Sequence, residues 1–244
     1  YVWSNGSITE DLAGIGAGTY SLVVTDANGC TSSETVVISE SASLTSSFTT
    51  SNWNNFEIQC NGGNNGEITL SVSGGITGQS YSYTIDGVSN STNIFSNLTA
   101  GNYVVSATDA NGCITPQIVT MDEPSTAITS SYTQSDYNGF GVSCNGDSDG
   151  SIDLTVSGGV EAYTYDWSNG STSEDLALLS AGTYSVITSD DNGCTTTETV
   201  IITESVTLTS TYTQSDYNGF GVSCNGDTDG SIDLSVNGGV DNQN

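Results

Sequence analysis

The sequence predicts an all-β chain that is built from small β-sandwiches in tandem. Val, Ile, Leu and Tyr alternate with Thr and Ser in short runs, which is typical of strands with one polar face. Gly-rich turns separate these runs. The sequence also repeats itself at intervals of 80–84 residues, a length that suits a small sandwich and exceeds one turn of a solenoid.

The internal repeat defines the predicted domains. Residues 132–160 and 212–240 align at an offset of 80 and differ at three positions. Residues 1–41 align with 165–205, and Cys60 aligns with Cys144 at an offset of 84. The predicted domains are the C-terminal part of a repeat at 1–40, complete repeats at 41–124 and 125–204, and the N-terminal part of a repeat at 205–244.

Each predicted strand of the repeat at 125–204 corresponds to a short segment of alternating apolar and polar residues. The predicted strands are AITSSYTQ, which one interpretation continues through GFGVSC, then SIDLTVSGG, AYTYDWS, SEDLALL, TYSVITSD and TTTETVIIT. DANG at 26–29 and 109–112 and DDNG at 190–193 are predicted to be the same hairpin, closed by a type I′ turn at Asn-Gly.

Aromatic residues recur at fixed places in the repeat. The segments Leu12–Tyr20, Leu98–Tyr103 and Leu179–Tyr184 each end in a tyrosine that resembles the tyrosine corner of immunoglobulin-like sandwiches, whose hydroxyl bonds to the upstream backbone. Trp3 and Trp167 are expected at equivalent core positions, with Ile85 as their counterpart in the middle repeat. These residues are therefore interpreted as packing rather than as a ligand site.

Composition excludes whole classes of function. The chain has 28 acidic residues and no Lys, Arg or His, for a net charge of −28. A Ser-His-Asp or Cys-His nucleophile, a Schiff-base lysine, a histidine zinc site and a phosphate-binding lysine cannot be assembled. Nucleic acid is excluded as a direct partner because binding its backbone needs cations. We expect no enzyme, and paired carboxylates on repeated turns do not indicate a glycosidase.

Three further features bear on the location of the protein. The sequence has no apolar run long enough to predict a transmembrane segment. It starts and stops inside the repeat pattern, so we expect a window of a longer protein. Six cysteines at regular places predict disulfides and an oxidising, extracellular setting.

The cysteines occur in two alternating contexts, which leave two pairings open. Cys60, Cys144 and Cys224 lie in CNG, and Cys30, Cys113 and Cys194 lie in NGC. Pairing within a repeat gives Cys60–Cys113 and Cys144–Cys194, and is favoured because a small domain needs a staple across its thin core. Pairing across a boundary gives Cys30–Cys60, Cys113–Cys144 and Cys194–Cys224.

Acidic loops follow two of the CNG motifs and predict calcium sites. NGDSDGSID and NGDTDGSID place oxygen ligands at alternate positions before a glycine, similar to the first half of an EF-hand loop. An Asx-rich turn without metal is the alternative, because valine replaces the closing Glu. The candidate Ca²⁺ ligands are Asn145, Asp147, Asp149 and Asp153 in one repeat and Asn225, Asp227, Asp229 and Asp233 in the next.

Taken together, these motifs resemble the SprB repeat. The order CNGDSDGSIDLTVSGG, AYTYDWSNGSTSEDLALLSAGTY and DDNGCTTTETVIITES carries the resemblance, and the sequence is also similar to PKD-like and immunoglobulin-like sandwiches. The resemblance implies a segment of a giant cell-surface adhesin of gliding bacteria, exported by type IX secretion and attached at the outer membrane. It also implies the substratum or a surface polysaccharide, and the motility machinery, as partners.

The leading hypothesis is a structural and adhesive stalk of such a filament. The alternative is an array of carbohydrate-binding modules, which would need an exposed aromatic platform. Tyr137, Tyr217 and Trp53 are the best candidates for that platform, and a packed linker strand is the competing interpretation of the same residues.

Overall fold

All regular structure in the described part of the chain is antiparallel β-sheet. The computed structural model describes residues 1–76, 78 and 80–240. The strands are β1 (Val2–Trp3), β2 (Gly18–Thr25), β3 (Thr31–Ile38), β4 (Ala42–Thr50), β5 (Gly66–Gly75), β6 (Ser82–Ile85), β7 (Val88–Asn90), β8 (Ile94–Leu98), β9 (Gly101–Thr108), β10 (Ile114–Met121), β11 (Thr129–Gln134), β12 (Gly150–Ser157), β13 (Thr164–Trp167), β14 (Leu176–Leu179), β15 (Gly182–Ser189), β16 (Thr195–Ile202), β17 (Val206–Gln214) and β18 (Ile232–Gly239).

The strands form six small sheets. Their orders are β1-β2-β3, β4-β5-β8, β10-β9-β6-β7, β11-β12-β14, β13-β15-β16 and β17-β18. The orders correspond from repeat to repeat, as the internal similarity predicts, except that β7 has no counterpart and that β17-β18 has two strands where the equivalent sheets have three. The all-β prediction is therefore confirmed.

Strands β11 to β16 form a two-sheet sandwich with one apolar core. Their bounds follow the predicted segments, except that GFGVSC does not extend the first strand. Alternate side chains of both sheets point inward, because side chains on a strand alternate between its two faces. The core residues are Val142, Ile152, Leu154, Trp167, Leu176, Leu179, Val186, Val200 and Ile202.

The tyrosine corners are confirmed in two copies. The Tyr184 hydroxyl donates to the backbone oxygen of Ser180 at 3.0 Å, and the Tyr20 hydroxyl donates to that of Gly16 at 3.0 Å. Trp167 pairs with Val186 across the sheet, Trp3 pairs with Leu22, and Ile85 pairs with Val105, so the three occupy equivalent positions as predicted.

Strands β4 to β10 repeat this pattern with a more diverged sequence. Ile68, Leu70, Val105 and Val119 are fully buried. At the edge of the sheets, the hydroxyls of Ser46 on β4 and Thr115 on β10 lie 2.9 Å apart and join the two layers.

The first and last sheets have apolar faces that the complete repeats bury. Leu234 on β18 is 63% exposed, whereas its equivalent Leu154 on β12 is 2% exposed. Likewise Val36 on β3 is 47% exposed, whereas its equivalent Val200 on β16 is 0% exposed. Each terminal sheet is therefore one half of a sandwich.

The contacts divide the chain into two units. One is made of Tyr1–Thr50, Glu67–Ser96 and Asn102–Thr120, and the other of Ser51–Gly66, Asn97–Gly101 and Met121–Asn244. The repeat boundaries given above remain a prediction. The described residues form no helix that is long and apolar enough to cross a membrane.

The predicted type I′ turn at the D-x-N-G hairpins is wrong. Only the glycine has a positive φ, +83° at Gly29 and +82° at Gly193, and the preceding asparagines do not. The Gly29 N–H donates to the Asp26 carbonyl at 3.1 Å, so a type I turn precedes a left-handed glycine.

Two consecutive positive φ angles occur elsewhere, at a second set of tight turns. They are found at Asn54–Asn55, Asn138–Gly139 and Asn218–Gly219. The Tyr137 N–H donates to the Phe140 carbonyl at 2.7 Å across the second of these turns. This turn is the reason why GFGVSC does not continue the first strand.

Candidate functional site

The hairpin at Asp190–Cys194 is shaped by its first residue. One carboxylate oxygen of Asp190 accepts the N–H groups of Asn192 at 3.0 Å and Cys194 at 2.8 Å. The other oxygen accepts the N–H of Val160 at 2.9 Å. An aspartate that satisfies the turn backbone in this way holds the hairpin in one conformation before anything contacts it.

This hairpin is seated against the loop at 52–60, which belongs to the preceding repeat. The Asn54 amide donates to the side-chain oxygens of Asp191 and Asn192, both at 2.8 Å. The Gln59 amide donates to the backbone oxygen of Asn192 at 2.7 Å, and the Asn192 amide donates to the backbone oxygen of Gln59 at 2.9 Å. Asn192 is consequently buried, at 6% exposure.

A disulfide between Cys60 and Cys194 closes the contact, over a sequence separation of 134 residues. Both predicted pairings are therefore wrong for these cysteines: Cys60 does not pair with Cys113 or Cys30, and Cys194 does not pair with Cys144 or Cys224. The physical reason is that Cys60 lies on the loop against which the hairpin Asp190–Cys194 docks, so its nearest cysteine belongs to a hairpin far along the sequence. The other four cysteines are exposed and unpaired.

The loop at 136–144 is the equivalent of the docking loop in the next repeat, and no hairpin of the described residues is docked on it. Tyr137, Asn138 and Cys144 correspond to Trp53, Asn54 and Cys60. A groove of about 770 Å³ lies here, lined in part by Asn138, Cys144 and Leu208. At the docked hairpin, the corresponding space beside Cys60 and Cys194 is about 190 Å³.

The predicted calcium ligands of the first acidic loop do not all converge. Asp147 and Asp149 both lie around Ser143: the Ser143 hydroxyl donates to Asp147 at 2.9 Å, and its N–H donates to Asp149 at 3.0 Å. Asp153 is exposed on strand β12, opposite Thr133. Gly150 is the first residue of β12 and has no positive φ. It is buried, and the position leaves no room for a side chain, because a Cβ there would lie 2.9 Å from the Leu179 carbonyl oxygen.

Asn145 has a different set of partners, in the following repeat. Its amide donates to the backbone oxygen of Ser205 at 2.8 Å, and its side-chain oxygen accepts from the Thr207 hydroxyl at 2.6 Å. Asn61 makes the first of these contacts one repeat earlier, to the backbone oxygen of Pro124 at 2.8 Å. This asparagine therefore helps to hold successive repeats together.

The last acidic loop repeats the arrangement of the first. Ser223 donates to Asp227 at 2.7 Å through its hydroxyl and to Asp229 at 3.1 Å through its N–H. Asn225 is exposed, and Asp233 lies on β18 opposite Thr213. Within the described residues, no three Asp, Glu, Cys or His side chains form a group that could hold a metal ion. Calcium binding thus stays a prediction that would have to rely on amide and backbone oxygens as well.

Hydrogen bonds stabilise the charged form of particular aspartates. Those from Ser143 hold the pKa of Asp149 below its ordinary value of 3.8, and those from Ser223 do the same for the pKa of Asp229. The backbone N–H of Cys113 is the main cause of the lowered pKa of Asp109. These loops therefore keep their carboxylates ionised through local N–H and O–H donors.

The aromatic candidates for a sugar platform are partly exposed. Trp53, Tyr137 and Tyr217 are 39%, 38% and 40% exposed, each at the start of the tight turn described above. The Trp53 backbone oxygen accepts a hydrogen bond of 3.4 Å from the Asn192 amide. At least in that copy, the aromatic position is next to a docked hairpin.

Sequence reasoning missed Asn54 and Gln59 on the loop at 52–60 and Asn192 on the hairpin, which form the contact between the two. A signal for two of them was present in the repeats: asparagine recurs at 54, 138 and 218, and again at 28, 111 and 192. The second set was predicted to lie in the D-x-N-G turns and the first set was given no turn, and nothing in the spacing indicated that the two sets meet.

Comparison with known proteins gives the class of these repeats. The family model described as the SprB repeat matches residues 57–90, 142–172 and 222–242. Three segments of the chain thus match the SprB repeat. Each matched segment begins within or next to one of the loops that carry a CNG cysteine.

A search of solved structures returns an array of immunoglobulin domains. One of the matches is the crystal structure of the N-terminal eight Ig domains of Down Syndrome Cell Adhesion Molecule, isoform 1.30.30, at 12% sequence identity and a TM-score of 0.34. It covers 80% of this chain, and this chain spans 27% of that structure. No curated protein matches the chain.

Proposed function

We propose that the chain is a structural and adhesive stalk segment of a large secreted cell-surface adhesin that serves surface attachment and gliding motility. The observation that carries the proposal is that successive SprB repeats are fastened by a docked hairpin and a disulfide. A chain that must transmit force along its length needs such fastening, and a disulfide persists in an oxidising, extracellular setting.

The surface charge supports the same function. With 28 acidic residues and no side-chain cation, like charges keep neighbouring filaments apart at low salt. Dissolved divalent cations would bridge such a surface to an acidic substratum or polysaccharide. Attachment is therefore expected to depend on the ions in the medium.

The test is surface labelling of the bacterium that encodes the chain. Fab fragments raised against the purified chain should label intact cells and reduce their attachment to glass and their movement over it. Fab fragments against a cytoplasmic protein are the control. Labelling that requires permeabilised cells would rule out the proposed location, and labelling without loss of attachment would rule out the adhesive role.

A carbohydrate platform is the second candidate, supported by the partial exposure of Tyr137 on the open groove. Aromatic rings on a groove can stack on sugar faces. Glycan-array binding by the wild-type chain that is lost in Tyr137→Ala would favour this function, and retained binding in that variant would remove Tyr137 from it.

A further inference from the structure

The Asn-Gly sequences of two CNG motifs are held by the segments that follow strands β10 and β16. We call each of these contacts a clasp. One clasp is made of Asn61, Gly62, Glu123 and Pro124, and the other of Asn145, Gly146, Glu204 and Ser205. The same four positions meet in both copies, so the clasp is a recurring feature of the repeat.

In each clasp, a glutamate carboxylate accepts the N–H of the glycine that follows the asparagine. Glu123 accepts from Gly62 at 2.7 Å, and Glu204 accepts from Gly146 at 2.7 Å. The asparagine amide donates to the backbone oxygen of the residue after the glutamate, at 2.8 Å in both copies. The clasp therefore engages two nitrogens at once, the side-chain nitrogen of the asparagine and the backbone nitrogen of the glycine.

These two nitrogens are the ones that react when an Asn-Gly sequence deamidates. The glycine nitrogen gives up its proton and attacks the side-chain carbonyl carbon of the asparagine. The bond to the side-chain nitrogen breaks, and that nitrogen leaves with the proton as ammonia. Water then opens the succinimide ring at either carbonyl, which gives aspartate or isoaspartate. Glycine favours the attack because it has no side chain to hinder a close approach.

The clasp opposes this reaction through its hydrogen bonds. A carboxylate at 2.7 Å holds the proton that the glycine nitrogen must lose, and its negative charge disfavours the nitrogen anion that would attack. The bond to the backbone oxygen holds the asparagine side chain in place. Asn61 and Asn145 are exposed, so water reaches both. Their protection therefore has to come from these contacts and not from burial.

We propose that Asn61 and Asn145 are latent deamidation sites, which Glu123 and Glu204 protect for as long as the clasps stay closed. The product does not restore the clasp, because the amide donor is replaced by a carboxylate oxygen that faces the same backbone oxygen. In the first clasp this new charge also lies beside Glu123, whose other oxygen is 3.4 Å from the Asn61 amide nitrogen. A clasp that stays open long enough to react is therefore lost permanently.

The test removes one glutamate at a time and follows both asparagines in the same molecule. Glu204→Ala should raise the deamidation rate of Asn145 about tenfold, the effect of losing a hydrogen bond to a charged group, and should leave the rate at Asn61 unchanged. Glu123→Ala should do the reverse. Glu204→Gln keeps an oxygen acceptor without the charge, so it should give an intermediate rate at Asn145.

Deamidation is measured by mass spectrometry after incubation of the purified chain at neutral pH in heavy-oxygen water. Opening of the ring incorporates an oxygen atom from water, so the heavy label marks the product that formed before digestion. The chain is then reduced and digested in ordinary water with Asp- and Glu-specific proteases, because trypsin has no site in it. Fragmentation of the peptides assigns the label to Asn61 or Asn145.

A second comparison tests whether a modified clasp is weaker. Asn145→Asp should lower the urea midpoint of unfolding, because the donor to the Ser205 backbone oxygen is lost. Asn169→Asp is the matched control, since it adds the same charge at another exposed Asn-Gly sequence. The side-chain oxygen of Asn169 accepts the N–H of Ser171 and is kept in the variant, so the midpoint should change little.

The proposal is overturned by any of three results. One is an unchanged or slower reaction of Asn145 in Glu204→Ala, since a slower one would make the carboxylate the base that activates the glycine nitrogen. Another is equal acceleration of both asparagines in either alanine variant, which would assign the effect to a general loss of structure. The third is an equal midpoint for Asn145→Asp and Asn169→Asp. None of these results bears on whether the chain is adhesive.

Discussion

An aspartate at the first position of each D-x-N-G-C hairpin shapes the turn that makes docking possible. Asp109 accepts the N–H groups of Asn111 at 3.0 Å and Cys113 at 2.9 Å with one oxygen, and that of Ile76 at 3.3 Å with the other. Three backbone donors favour the ionised carboxylate, and its pKa is lowered despite burial, which acts in the opposite direction.

The stabilisation from Asp109 is expected to be lost in acid. Its folded-state pKa lies below the ordinary value of 3.8, so its contribution is complete well above pH 3.8 and disappears as the pH falls through the folded-state pKa. Asp109→Asn should therefore lower the free energy of unfolding in urea at neutral pH more than it does well below that pKa. An equal loss at both pH values would contradict this account of the charge.

Glycine at 158 is required by both conformation and space. Its φ is +77°, and a Cβ there would overlap the carbonyl oxygen of Ala127. Gly158→Ala should lower the free energy of unfolding by about 3 kcal/mol or more. Gly170→Ala is the control, because Gly170 has a φ of +83° with open space around it, and should cost about 1 kcal/mol. Equal losses in urea denaturation would refute the role of the clash.

Single residues could be predicted where their role depends on their own repeat. Trp167 and the tyrosine at 184 were recognised as packing residues, because strand alternation and the turn before Tyr184 are local signals. For Gly150 and Asn145 the sequence predicts a calcium loop and does not indicate the other contacts that they make. Those contacts are with Leu179, Ser205 and Thr207, which lie 29 to 62 residues away, where sequence spacing carries no information.

At the scale of elements, the strands were predictable and the contact between repeats was not. Strands β11 to β16 follow the predicted segments closely, because alternation and turn residues specify each strand by itself. The docking of the hairpin Asp190–Cys194 on the loop at 52–60 involves no strand register. It rests on Asn54, Gln59 and Asn192, which show no periodic pattern.

The disulfide is expected to contribute a large part of the local stability. A bond that closes a loop of this length restricts the unfolded chain, and such bonds typically contribute about 2–4 kcal/mol. Cys60→Ser with Cys194→Ser should lower the free energy of unfolding by this amount in non-reducing urea denaturation. Cys113→Ser, at the exposed end of an undocked hairpin, is the control and should change it little. A disulfide-free variant as stable as the wild-type chain would refute this role.

At the scale of the whole molecule, one sign of charge covers every repeat. With no Lys, Arg or His, the 28 acidic residues have no side-chain cation to pair with. Their mutual repulsion opposes the compact state and is screened by dissolved ions over about 10 Å at 0.1 M salt. The melting temperature should therefore rise by several degrees from about 10 mM to about 500 mM NaCl. A melting temperature that is independent of salt would show that the charges are too widely spaced to matter.

Calcium should act beyond this screening if the acidic loops bind it. Calcium chloride at about 1 mM, the range of weak extracellular sites, should raise the melting temperature more than NaCl of equal ionic strength does. The double variant Asp147→Asn with Asp149→Asn should lose part of that difference, since the equivalent loop at 225–233 remains. If calcium and NaCl act equally, the acidic loops are plain turns and only screening is left.

The bond between Cys60 and Cys194 also decides how the molecule yields to tension. A pull applied to the two ends of the chain passes through this bond, so the residues between the two cysteines bear no tension even after they unfold. The bond spans a sequence separation of 134 residues, so roughly 450 Å of contour length cannot be extended for as long as the bond is oxidised. A chemical reductant would make this length of chain available for extension in a single step. The redox state of the surroundings therefore determines how far the chain can extend under tension.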